Sequence, residues 1–274
     1  MNELWAKLLI KELIHHGVRK FCISPGSRST ALTVAPARHP LAETVVHYDE
    51  RGMAFHALGF AKGSGQPVAL IVTSGTAAGN LLPAVMEAHH DHIPLILLTA
   101  DRPPELRDCG ANQATDQVKM FSNFVRWQGE LPCPTSHISQ SFIGTTVTQA
   151  MGMALSEPRG PAQLNWMIRK PFLKQDEKQR VSPRLVHAPE TALTMGSLAL
   201  DPKAVEQVAD ELSEYEKGII LTSGPLSSQE VEKVHVLSRS LQWPIFPDIL
   251  STVRSEGEGY GVVPYYDLIL KALG

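Results

Sequence analysis

The stretch Pro67-Val68-Ala69-Leu70-Ile71-Val72-Thr73, followed at once by Ser74-Gly75-Thr76-Ala77-Ala78-Gly79-Asn80, decides the fold. The first six residues are apolar at consecutive rather than alternate positions. A strand of that kind is buried on both faces, as in parallel sheets covered by helices on either side. The Ser-Gly-Thr turn then supplies a helix cap, and helical spacing is expected from Ala77 to His89. A buried strand feeding a capped helix is half of a βαβ unit.

The same alternation extends outward in both directions. Upstream, Thr44 to His47 reads as a strand and Gly52 to Gly63 as the helix after it. Before these, Leu4, Leu8, Leu9, Leu13 and Ile14 recur at helical spacing, and Gly17 is suited to end that helix. Val18 to Ser24 is then a strand, and Pro25-Gly26-Ser27-Arg28-Ser29-Thr30 a loop opening a helix. Downstream, Pro94 to Thr99 (PLILLT) is a second continuous buried strand. Strands alternating with helices imply an α/β fold with a mostly parallel sheet and right-handed crossovers.

Beyond residue 173 the character changes. Lys174 to Arg184 is charged and polar, and a weakly patterned stretch runs on to Leu200, so 174–200 is expected to be a linker. Asp201 with Pro202 reads as an N-cap and first helical residue, and Val205, Val208 and Leu212 as one apolar helix face. Gly218 to Thr222 and Pro244 to Phe246 read as strands. Between them lies a helix capped by Ser228, with Val231, Val234, Leu237 and Leu241 expected inside. Residues 201–274 hold too few strands for a complete sheet.

Bulk properties exclude several classes. The chain has 274 residues, 43% apolar and 19% charged, with a net charge of -3. No basic field argues for nucleic acid, and no apolar run is long enough to span a bilayer. An acidic residue, Glu3, stands where a secretion signal would carry positive charge. Cys22, Cys109 and Cys133 are odd in number and widely spaced, which suits reduced thiols and a cytoplasmic location.

Four loops are expected at the carboxyl ends of the strands, where open α/β sheets bind ligands. They are Ser24 to Ser29, Asp49-Glu50-Arg51-Gly52, Thr73 to Asn80, and Thr99 to Glu105. Each has a plain structural alternative. Ser74-Gly75-Thr76 serves equally as an ordinary cap, and Arg28 as an anion ligand or a solvated side chain. Glu50 is a single carboxylate at a strand end, or one half of a surface pair with Arg51. Asp101-Arg102 reads as a surface ion pair of small value. His89-His90-Asp91-His92 resembles a metal site, but neighbouring residues at a helix end point apart, which favours surface placement. Cys109 lacks an evident histidine base. Neither G-x-G-x-x-G after the first strand nor a P-loop is present.

The segment HYDERGMAFHALGFAKGSGQPVALIVTSGTAAGNLLPAVMEA, with SPGSRST before it and LILLTADRPPELRDCGANQATDQ after it, resembles the pyrimidine-binding domain of thiamine-diphosphate enzymes. More narrowly it resembles the MenD-type 2-succinyl-5-enolpyruvyl-6-hydroxy-3-cyclohexene-1-carboxylate (SEPHCHC) synthases of menaquinone biosynthesis. The resemblance implies a parallel-sheet pyrimidine-binding domain over 1–173, the linker, and an incomplete α/β middle domain over 201–274. It implies thiamine diphosphate and Mg2+ as cofactors, and isochorismate and 2-oxoglutarate as substrates. By it, Glu50 hydrogen-bonds the aminopyrimidine of the cofactor and so activates the thiazolium, while Pro25, Ser74, Gly75 and Thr76 lie beside the cofactor. Ser27, Arg28, Arg102, Asn112 and Gln113 would face the substrates, with arginine meeting a carboxylate. Acetolactate synthase-like carboligases share the glutamate and the Thr-Ser-Gly turn but not the SRST or DRPPEL–GANQ wording. A non-catalytic α/β binding module is the remaining alternative.

The family's diphosphate- and magnesium-binding Gly-Asp-Gly motif does not occur here. The resemblance therefore implies an N-terminal, truncated portion without metal ligands of its own, expected to be inactive alone. In the family the site is shared within a homo-oligomer, so a homodimer is expected, with a separate C-terminal polypeptide as a possible complement.

Overall fold

The computed structural model of the chain describes residues 1–173, 192–194, 196, 199–255 and 261–273. The expected linker over 174–200 falls mostly outside them. Two compact units are present, Met1–Gly196 and Ser197–Gly274.

The first unit runs α1 (Asn2–His15), β1 (Lys20–Ser24), α2 (Thr30–Ala37), β2 (Glu43–Val46), α3 (Glu50–Ser64) and β3 (Val68–Val72). It continues with α4 (Thr76–Gly79), α5 (Leu82–His90), β4 (Leu95–Asp101), β5 (Trp127–Leu131), α6 (Ser141–Leu155) and β6 (Ala162–Met167). The strands form one six-stranded sheet in the order β2-β1-β3-β4-β6-β5. Every pairing in it is parallel. The α/β fold with a parallel sheet is thus the one the sequence implied.

Side-chain alternation divides the core into two layers. Ala69, Ile71, Ile96 and Leu98 face the layer that contains α1, α2 and α6. Val68, Leu70, Val72, Leu95 and Leu97 face α3, α4 and α5. Both β3 and β4 are buried along their whole length, as PVALIVT and PLILLT predict. Each large apolar side chain so buried contributes about 1.5–3 kcal/mol.

Some boundaries differ from the sequence expectation. The helix after β2 starts at Glu50 rather than Gly52, because Asp49 is its cap and accepts a hydrogen bond from the Gly52 N–H at 2.6 Å. The helix expected over Ala77 to His89 is two helices. It breaks at Asn80-Leu81, and Pro83 starts α5 as prolines start helices elsewhere. Strand β5 and helix α6 were not anticipated. The edge strand reads Trp-Gln-Gly-Glu-Leu, too polar for a continuous run. Helix α6 did carry a signal, since Ile143, Val147, Ala150, Met151 and Ala154 recur at helical spacing.

Helices α1 and α6 share a buried polar contact. The His16 Nε2 atom lies 2.9 Å from the Thr148 hydroxyl, which also donates to Glu12 Oε1 at 3.3 Å. Burial pushes the His16 imidazole below the ordinary histidine range, against the raising influence of Glu12 and with the lowering influence of His15. Its unfolded value is about 6.5. Acid therefore protonates the unfolded chain before the folded one, and stability present above about pH 6.5 is lost as pH falls through the folded value. Urea unfolding of the chain is expected to shift to lower midpoints between about pH 7 and pH 5. His16→Gln is expected to flatten that slope, and an unchanged slope would rule His16 out.

The second unit contains α7 (Pro202–Ser213), β7 (Ile220–Thr222), α8 (Ser228–Leu241), β8 (Ile245–Pro247), α9 (Thr252–Ser255) and α10 (Tyr266–Leu273). Its two strands pair in parallel. Asp201 caps α7 as expected, but the cap of α8 is Ser227, in a reciprocal box with Glu230, rather than Ser228. The apolar face expected of α7 is not buried, with Val205 48% and Val208 54% exposed, and Leu237 of α8, expected inside, is 42% exposed. Among the described residues of this unit only Val231, Ile245 and Val253 form a buried apolar cluster. Two short strands cover too little of either helix to enclose its apolar face.

Candidate active site

The strand order reverses direction between β1 and β3, and that is where an open α/β sheet offers its crevice. The loops after both strands meet there. A Cβ built on Gly26 would lie 2.5 Å from the Thr73 Cβ, so the two loops approach more closely than any other residue allows. Gly26→Ala forces one loop away from the other, and its expected cost is about 1–3 kcal/mol. Chemical denaturation measures this, and an unchanged midpoint would show that the loops separate freely.

Glu50 is the first residue of α3, half-buried, at the edge formed by β2. Its Oε2 accepts from Asn80 Nδ2 at 3.4 Å, which links the head of α3 to the end of α4. Among the described residues no ion pair involves Glu50, so the pairing with Arg51 is not formed. Gly75 has φ 83 and begins α4. That left-handed conformation favours glycine. A Cβ there would also press on Gln113, 3.0 Å from its Cγ.

The loop after β4 docks on this turn. The Ser74 hydroxyl donates to the Gln113 carbonyl at 3.1 Å, and the Gln113 side-chain amide donates to the Ser74 carbonyl at 3.1 Å. Arg102 places Nε and Nη2 on the Asn112 carbonyl at 3.2 and 2.5 Å. Ser74 and Gly75 are buried, whereas Pro25, Ser27, Thr76, Asn112 and Gln113 are exposed. The structure thus gathers Ser74, Gly75, Arg102, Asn112 and Gln113 into one connected surface, with Glu50 joined to it through Asn80.

Residues 5–120 match the family described as thiamine pyrophosphate enzyme, N-terminal TPP binding domain. The chain is 43% identical over 271 residues to a 2-succinyl-5-enolpyruvyl-6-hydroxy-3-cyclohexene-1-carboxylate synthase of Rubrobacter xylanophilus, covering 98% of this chain and 47% of that protein. Over residues 5–120 it is similar to the N-terminal domain of thiamine pyrophosphate enzymes. The synthase of the same name from Salinibacter ruber is 43% identical, over 97% of this chain and 46% of its own. Protein PHYLLO of Arabidopsis thaliana, chloroplastic, is 38% identical over 93% of this chain and 16% of its own length. The chain spans about half the length of the two bacterial synthases.

Arg28 is not the solvated arginine of the structural alternative. It is 4% exposed, donates Nη1 to the Ile168 carbonyl and lies 5.0 Å from the Phe172 ring. Burial pushes its guanidinium down to about 10, with Arg102 acting in the same direction and Asp101 against it. It stays protonated at neutral pH.

Asp101 is not half of a surface pair with Arg102. It is fully buried, accepts from Arg107 Nη2 at 2.6 Å and from the Arg102 backbone N–H at 2.6 Å. The network around it was not anticipated from the sequence. Asn165 Oδ1 accepts from Thr99 at 2.8 Å and Gln117 at 2.9 Å, and its amide donates to Asp101 at 2.9 Å. Arg107 also reaches Glu130 at 2.9 Å. The available signal was polar residues inside apolar strands, Thr99 in LILLTAD and Asn165 in AQLNWM, since buried polar groups need partners.

The other candidates have ordinary structural surroundings. His89 and His90 pack edge-on against each other and against Phe124, and Asp91 pairs with Lys62 at 2.7 Å. Cys109 is exposed, with Sγ 3.8 Å from the Glu105 carbonyl. Among the described residues no group of three or more His, Cys, Asp or Glu is placed to hold a metal ion. No helix there is long and apolar enough to cross a membrane.

Proposed function

We propose that this chain is the pyrimidine-binding part of a thiamine-diphosphate-dependent SEPHCHC synthase acting on 2-oxoglutarate and isochorismate. The observation that carries the reading is Glu50. It is a half-buried carboxylate at the head of α3 whose hydrogen-bond partner among the described residues is Asn80, at the end of the short helix that follows the buried Ser74-Gly75 turn. A carboxylate with accepting capacity to spare fits the protonated ring nitrogen of an aminopyrimidine.

When bound, thiamine diphosphate supplies a carbon nucleophile and an electron sink for decarboxylation and carbon–carbon bond formation. This chain's residues bind and orient. Glu50 holds a proton at the aminopyrimidine nitrogen, and Asn80 fixes the carboxylate that holds it. Pro25, Ser74, Gly75 and Thr76 form the wall beside that ring. Arg102, Asn112 and Gln113 line the adjoining surface, with Ser27 on the neighbouring loop. Both substrates are dicarboxylates, and Arg28 and Arg102 keep that side of the crevice positive. Arg28 acts through its field or after leaving the Ile168 carbonyl, because its guanidinium is covered here.

Magnesium, which takes oxygen ligands, and the diphosphate are assigned to sequence in the longer relatives that this chain does not span. The exposed Val46, Tyr48 and Phe55 around Glu50 support a homodimer whose second subunit covers the edge. The test combines this chain with the remaining sequence of such a relative, thiamine diphosphate and Mg2+. Carbon dioxide release from 2-oxoglutarate with an isochorismate adduct is expected. Turnover of pyruvate alone would assign a different carboligase, and no turnover despite assembly would overturn the reading.

A further inference from the structure

Gln117 is 1% exposed and lies on no strand or helix. Its side chain bridges three parts of the site edge. Oε1 accepts from the Gly75 N–H at 2.8 Å, and Nε2 donates to the Ala100 carbonyl at 3.2 Å and to Asn165 Oδ1 at 2.9 Å. We infer that Gln117 is a positioning residue that sets the Ser74-Gly75-Thr76 turn against the Asn112-Gln113 loop. This rests on the reading of that turn as the wall beside the pyrimidine.

The turn explains why an amide is needed. At φ 83 and ψ -142 the Gly75 N–H points into the protein rather than along a helix, and its acceptor is a side chain. An apolar residue of equal size at 117 would leave that N–H without its acceptor and the Ala100 carbonyl without this donor. An amide alone offers an acceptor on one atom and two donors on the next, which is what the three partners require. The same residue ends the loop that begins at Arg102, so fixing Gln117 also limits where Asn112 and Gln113 lie. Gln113 then closes the second contact through its paired hydrogen bonds with Ser74. The cofactor-side turn and the substrate-side loop therefore share one anchor that touches neither ligand.

The test uses Gln117→Leu and Gln117→Glu in the 274-residue chain. Amide hydrogen exchange without ligand is expected to quicken in Gln117→Leu at 74–76 and 110–117, while β3 and β4 keep their protection. Equilibrium dialysis with thiamine, at a temperature where each variant is folded, is expected to show binding weakened roughly five- to tenfold in Gln117→Leu. Gln117→Glu separates positioning from bulk. Its neutral acid can accept from Gly75 and donate to Asn165, whereas its carboxylate cannot donate. Binding relative to the wild-type chain is therefore expected to recover as pH falls. Wild-type binding with equal affinity in Gln117→Leu overturns this inference alone. So does exchange that quickens uniformly across the sheet. No thiamine binding by the wild-type chain overturns the reading of the site and the positioning role with it.

Discussion

Asp101→Ala is expected to lower the melting temperature by about 6–12 °C. The carboxylate is fully buried and accepts three hydrogen bonds, from Arg107 at 2.6 Å, the Arg102 N–H at 2.6 Å and Asn165 at 2.9 Å. Deleting it leaves Asn165 without one of its acceptors in the interior and Arg107 with Glu130 alone. Removing one member of a buried charged pair costs about 3–5 kcal/mol. Arg107 keeps some access to solvent, so the lower figure, about 3 kcal/mol, applies here. For a unit of this size each kcal/mol moves the melting temperature by about 2–4 °C. Asp101→Asn keeps an acceptor for the Arg102 N–H and should fall between the two. Thermal unfolding followed by circular dichroism decides the matter. A shift of less than about 2 °C for Asp101→Ala would show that the network adds little to stability.

Glu50→Gln is expected to do the reverse, leaving stability almost intact while weakening ligand binding. The side chain is half-buried, and its one hydrogen bond among the described residues, from Asn80, is 3.4 Å long. The structural loss is limited to a favourable charge in the first turn of α3, about 0.3–1 kcal/mol. The functional loss is a charge-assisted hydrogen bond to the pyrimidine, about 1.5–3 kcal/mol, which corresponds to roughly 10- to 150-fold in affinity. Calorimetry with thiamine against both chains, at matched fractions folded, reads this difference directly. Equal affinity would remove Glu50 from the site, whatever else binds there.

The legible and illegible parts of the sequence differ for physical reasons. Strands β3 and β4 were plain because burial on both faces demands an unbroken apolar run. Strand β5 was not, because an edge strand tolerates Gly129 and Glu130. The turns at Glu50 and Ser74 stood out because Gly, Ser and Asp are required by local backbone geometry. Their surroundings did not, since Gln117 meets Gly75 across 42 positions of sequence. Arg28 and Asp101 looked like surface charges because a charged residue in a loop gives no sign of its burial. Arg28 is covered by Ile168 and Phe172, residues that β6 delivers from the far end of the unit. In the second unit the apolar spacing of α7 was read correctly as a face. Spacing alone does not say whether anything lies against it.

Placing the pyrimidine of thiamine at Glu50 is the central claim, and a nuclear magnetic resonance titration of the isotopically labelled chain with thiamine tests it most directly. Saturable shifts are expected at the amides of Glu50, Gly75 and Asn80, with smaller ones at Asn112 and Gln113 and none in the second unit. No shift at millimolar thiamine, or shifts confined to residues away from the carboxyl ends of β1 to β4, would contradict it.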